Sequence, residues 1–250
     1  MIGGRLLMID TNIYGYIKFT GEKWANNLAD GIVSFSCAGK YIADEQSTGD
    51  TSKGDRLEAV FAHLKKGDER IAICKKRFGI DLEIIEDNEY VYLRRRSSCL
   101  VPIFCIFGIT DSLIKSKELD EHNVRFNFDF PEDMYSGFIK SNYSCAFLQP
   151  QSFELEIDAT MNDLAIRYYM KPVVYEIVDG EFYIEPTDNR EELFFKRSIY
   201  SNQHEFRIIL PDERLSSICK RKNITLNPCN KKDKYVLMNS RYGLSFIGKR

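Results

Sequence analysis

No Cys-x-x-Cys pair, Gly-x-Gly-x-x-Gly, P-loop, Gly-x-Ser-x-Gly or His-Glu-x-x-His occurs in this 250-residue chain. Zinc ribbons, Rossmann dinucleotide binding, P-loop NTPases, serine esterases and zinc proteases therefore lack sequence support. Long apolar runs are missing too. The nearest, residues 100–109, is broken by Pro102 and Gly108 and is shorter than the ~20 residues a spanning helix needs. It reads as a buried strand with Pro102 at its start or at a bulge. The seven cysteines are odd in number and scattered, and none stands at metal-ligand spacing with the three histidines. With no signal peptide in the sequence, this predicts a reduced cytoplasmic protein that has no metal and no membrane contact and uses its cysteines as small core residues. The formal net charge of −2 excludes a global attraction to nucleic acid, though not a local basic patch. Low-complexity tracts and fixed-period repeats are absent.

What is present is a packed, strand-rich pattern. Hydrophobic residues make up 44% of the chain, enough for a sizeable core. Alternation predicts strands at 6–10, 13–19, 32–36, 81–86, 89–96, 101–107, 123–130 and 205–210, with a further strand at 70–75. Helices are expected around Trp24 and Leu28, at 132–138 after Pro131, at 151–167 (where 153–157 also reads as strand) and at 213–222. Residues 173–177 and 181–184 around Val178-Asp179-Gly180 read as a hairpin, and 234–238 with 244–247 as a final strand pair. The fold expected is a single α+β domain over 1–250, with mostly antiparallel twisted sheets and a few short helices.

Residues 39–54 are polar and rich in Gly, Ser, Thr and Asp, which reads as a long loop able to act as a lid over a ligand. Asp55 and Glu58 then have the spacing of an N-cap and its capping-box partner for a helix over 54–62. Alternatively they join Tyr41 at the rim of a pocket. Arg94-Arg95-Arg96 is either a solvated sheet edge or a phosphate contact. Lys220-Arg221-Lys222 and Lys231-Lys232 serve solubility or an acidic partner.

The chain reads as organised around residues 194–210, where a polar cluster runs into an apolar strand. Period-2 alternation places Gln203, Glu205 and Arg207 on one face, with His204, Phe206 and Ile208 on the other. Glu205, flanked by Tyr200 and Ser201, reads either as an ion pair with Arg207 on a solvated edge or as a carboxylate for chemistry at a glycosidic carbon.

Gln203-His204-Glu205 resembles the Gln/Glu-x-Glu element of the ADP-ribosyltransferase fold. The order strand 13–20, short helix with Trp24, Gly31 and strand 32–36 is similar to that family's opening wall of the NAD pocket. The resemblance implies a split sheet, NAD as substrate without a metal, and Glu205 and Gln203 as catalytic residues. Glu205 would stabilise an oxocarbenium-like sugar, and Gln203 would orient an acceptor other than arginine on protein or nucleic acid. Lys18, Ser36, Tyr41, Tyr200 and Ser201 would bind the nucleotide. Lys18 stands where the family often has arginine or histidine, and it lacks their planar fork; a solvated strand charge is the other reading. The whole chain is also similar to a diffuse set of bacterial and phage proteins with a glutamate–arginine strand, implying a toxin or defence role in phage–host conflict. A non-enzymatic binding or inhibitor protein of the same setting is the alternative.

Overall fold

The computed structural model describes residues 12–49, 55–119, 123–128, 144–177, 180–216, 222–227, 235–238 and 244–249. The chain begins with β1 (Ile13–Thr20), α1 (Glu22–Ala29), β2 (Ile32–Cys37) and α2 (Ala38–Thr48). There follow β3 (Val60–Lys65), α3 (Glu69–Phe78), β4 (Leu82–Asp87), β5 (Tyr90–Arg95), β6 (Pro102–Thr110), β7 (Ile114–Leu119), β8 (Asn123–Phe128) and β9 (Ser144–Leu148). The remainder is α4 (Pro150–Asp163), β10 (Tyr169–Pro172), β11 (Val174–Ile177), β12 (Phe182–Tyr183), β13 (Phe195–Arg197), β14 (Glu205–Ile209), α5 (Glu213–Ser216), β15 (Lys222–Thr225), β16 (Tyr235–Met238) and β17 (Leu244–Lys249). The fold is α+β, and of the described pairings only β11 with β13 is parallel.

The largest sheet has eight strands, with β10-β14-β6-β1-β9-β16 as its spine and β2 and β15 branching from β6. Its register explains the branch. Along one edge of β6, Pro102 and Ile103 pair with β2, whereas Phe107 to Thr110 pair with β1. Neither strand pairs with residues 104–106, so β1 and β2 diverge there and the sheet forks. The opposite edge of β6 is fully paired with β14, from Ile103 opposite Ile209 to Phe107 opposite Glu205.

The two faces of β14 then meet different neighbours. Phe206 and Ile208 join the main core with Tyr16, Phe104, Leu148 and a stripe on α4, Phe153, Ile157 and Met161, spaced four apart. That spacing is one helix face, and each such side chain contributes about 1.5–3 kcal/mol on burial. Gln149 caps α4 by accepting from Ser152 N, and Pro150 opens the helix. The other face of β14, with Glu205, Arg207 and Ile209, packs against the turn that precedes β3 and the 3-10 helix Glu191–Phe194.

Close approach across β6 and β14 requires glycine at 108, where an added Cβ would run into the Phe206 ring. We expect Gly108→Ala to lower stability by about 1–3 kcal/mol through overpacking. A urea midpoint that drops at unchanged slope would register it, and a shift below ~0.5 kcal/mol would show that the ring swings aside.

The structure departs from the sequence expectations at several places. Residues 38–48 are helix α2, not loop: Ala38 and Ile42, four apart, are buried, and Gly49 at φ 66 ends the helix in the left-handed conformation. Residues 50–54 lie outside the described part. Residues 70–75 are helix α3, because Asp68 caps it on Arg70 N and Lys75, Lys76 and Arg77 complement its C-terminus. No helix begins at Asp55; a tight turn leads directly into β3. The expected pairing of β11 with β12 is replaced by β11 on β13 and β12 on β3, and β16 and β17 likewise join different sheets. The expected strand at 6–10, the helix at 132–138 and the basic clusters at 220–221 and 231–232 fall outside the described residues.

Candidate functional site

The fork opens a cavity of about 290 Å³. β1 lines it with Ile17 to Thr20, β2 with Ile32, Ser34 and Ser36, and the stretch of β6 between them with Phe104 to Phe107. Because Cys105 O has no strand partner in the fork, it accepts from Lys18 Nζ at 2.5 Å. Lys18 is therefore no solvated strand charge; it closes the fork's open backbone and faces the cavity. Trp24 and Leu28 of α1 and Tyr41 of α2 complete the apolar and aromatic side.

The opposite wall is ionic and buried. Arg207, 0% exposed, is a four-way junction. Its Nε donates to Glu205 Oε1 at 2.6 Å, and Nη1 and Nη2 donate to the two oxygens of Glu58 at 2.6 and 2.8 Å. Nη1 also donates to Leu193 O. Lys196 Nζ, from β13, donates to Glu205 Oε2 at 2.6 Å and Gln203 Oε1 at 2.8 Å. Two cations and two carboxylates thus form a neutral tetrad, which is how charges survive away from water. Arg207 and Glu205 share a face as alternation requires, but β14 is an internal strand, so the pair sits on no solvated edge. Gln203 reaches the same place by another route. It ends the 3-10 helix Ser198–Gln203, and His204 at φ 39 turns the chain into β14.

The turn that presents Glu58 is heavily tied. Asp55 Oδ1 accepts from Leu57 N at 3.0 Å and from Arg197 Nη2 at 2.8 Å. Arg94 Nη1 holds Arg56 O and Glu58 O, and Ala59 takes the left-handed φ of 64. Arg94 and Arg95 are consequently buried structural groups, paired with Glu83 and Glu192, and only Arg96 of the trio is exposed. A helix-cap role for Asp55 and Glu58 gives way to two carboxylates on the cavity wall.

These contacts set the acidities. Burial would raise Glu205, but Arg207 and Lys196 outweigh it and hold the carboxyl far below the usual range. Glu58 moves the other way: burial pushes it up, and Arg207 and Lys196 only partly offset that. Burial also pushes the Cys105 thiol up to about 12 and Tyr41 well above the ordinary phenol value.

Of the seven residues singled out in the sequence, Glu205, Gln203, Lys18, Ser36 and Tyr41 line the cavity. Tyr200 and Ser201 do not. Tyr200 turns to Arg197 behind Asp55, and Ser201 is exposed, because the 3-10 helix carries both off the strand. Sequence reasoning assigned no role to Lys196, although a lysine inside Phe194-Phe195-Lys196 was a signal that its charge has a buried partner. Among the described residues, no group of three or more His, Cys, Asp or Glu side chains is set to hold a metal, and no helix is long and apolar enough to cross a membrane. No protein-family model matches the chain, and neither do any curated protein or solved structure.

Proposed function

We propose that the cavity in the sheet fork binds NAD and that the protein transfers its ADP-ribosyl group to an acceptor other than arginine, on protein or nucleic acid. The observation that carries this reading is a carboxylate, Glu205, paired with Arg207 and Lys196 on the wall of an aromatic-lined cavity beside Gln203. A fixed negative charge there stabilises the cationic sugar carbon that forms as nicotinamide leaves. The volume is at the lower end of small-molecule sites. It suits the nicotinamide–ribose half, with the remainder running out past Lys40 and Asp44.

A second reading, a binding protein without catalysis, draws on a different observation: both Glu205 oxygens already accept from Arg207 and Lys196. One experiment separates the two. NAD at a hundredfold excess over its dissociation constant adds about 2.7 kcal/mol of stability, visible as a rise in Tm. A rise with nicotinamide release supports the transferase, and a rise without release supports the binding protein. Neither signal would sink NAD as the ligand.

A further inference from the structure

We propose that Glu58 is the general base of this site, accepting the proton from the group that attacks the sugar. This rests on the transferase reading above and adds a second carboxylate to it. In the step, the glycosidic bond from C1′ to the pyridinium nitrogen breaks and its electron pair leaves with nicotinamide, which becomes neutral. The acceptor X–H forms the X–C1′ bond, and its proton passes to Glu58. When no acceptor is bound, water takes the place of X–H and the outcome is hydrolysis.

The assignment comes from placement and from elimination along the cavity wall. Glu58 is 1% exposed yet lines the cavity, across the Arg207 guanidinium from Glu205. A turn held by Asp55, Arg94 and Arg197 fixes it there. The other titratable neighbours serve less well. Glu205 is too weakly basic, and Lys196 is held as a cation by Glu205 against its burial. Tyr41 and Cys105 keep their protons. Asp55 Oδ1 is taken by Arg197 and Leu57 N. Glu58 alone combines a carboxylate on the wall with an acidity weakened by burial, which together with Asp55 outweighs Arg207 and Lys196. A base whose affinity for protons is raised toward neutrality is the kind proton abstraction needs. Each Glu58 oxygen bonded to Arg207 retains a second lone pair, and after protonation Arg207 keeps its bond to Glu205 while the tetrad carries one excess positive charge until the proton leaves.

Glu58→Gln tests this. Nicotinamide release at pH 7 should fall about 10²-fold or more, while NAD still raises Tm. The rise of kcat/KM with pH in the wild type, through the Glu58 titration, should disappear. Azide, which needs no deprotonation, should restore the variant's NAD consumption at least ~10-fold and leave the wild type unchanged. Turnover within a few-fold of wild type, or a loss that keeps the pH limb and ignores azide, would overturn the assignment. Should Glu58→Gln not fold, Glu58→Asp keeps the charge and draws the base back. A rate at least ~10-fold down with NAD binding retained supports the role, and an unchanged rate refutes it. A wild type that neither binds NAD nor releases nicotinamide brings down the transferase reading itself, an outcome distinct from an active wild type matched by Glu58→Gln.

Discussion

Glu205→Gln is expected to lower NAD-dependent turnover by about 10²–10³-fold, the scale of losing one preorganised electrostatic group at a developing charge. Stability should fall as well. Glutamine is nearly isosteric, but Glu205 neutralises Lys196 and shares Arg207 with Glu58 in a largely buried cluster. Removing its charge leaves a buried excess cation, which costs about 3–5 kcal/mol. The two effects separate in a double variant. Adding Lys196→Met removes that cation, so the pair should regain most of the lost stability and none of the activity. Thermal unfolding and nicotinamide release on the wild type, Glu205→Gln and the double variant make the comparison. Activity returning together with stability would mean that Glu205 is a structural ion-pair partner only.

Arg207→Met should give the largest stability loss of any single change at this site, about 3–5 kcal/mol at pH 7, because two buried carboxylates lose their common partner. The loss should shrink as pH falls. In the wild type, the folded pKa of Glu205 lies below its unfolded value. It therefore contributes stability above the unfolded value near 4.5 that is lost as pH falls through the folded one. In the variant only Lys196 opposes burial, so both carboxyls move up from where Arg207 held them. Their ionisation penalises the fold at pH 7, and that penalty disappears once acid protonates them. Urea unfolding at pH 7 and pH 5 gives the test. A cost independent of pH, or below ~1 kcal/mol at pH 7, would show that Arg207 is not what keeps these carboxylates charged.

Much of this architecture was legible locally. Alternation located β1, β2 and β14, a run apolar on both faces located β6, and alternation put Glu205 and Arg207 opposite Phe206 and Ile208, because strand geometry fixes side-chain direction two residues at a time. Pro102 stood at a strand start, as its missing N–H demands. The misreadings at 39–48 and 70–75 also had local answers. Gly49 at the end of α2 and the Asp68 cap with the basic last turn of α3 are helix signals that short polar or alternating runs concealed.

By itself, then, the sequence determined where most strands lie, which way their side chains point, and that a carboxylate and a guanidinium share one face near the C-terminus. Only the tertiary structure decided that the pair is buried, that β1 and β2 part along β6 to open a cavity beside it, and that Glu58 and Lys196 complete its charge balance. The reason is distance along the chain: side-chain direction follows from adjacent backbone torsions, whereas Glu58 and Arg207 meet across 149 residues. Nothing in either segment's own pattern encodes that meeting; it follows from packing the turn that precedes β3 against the face of β14.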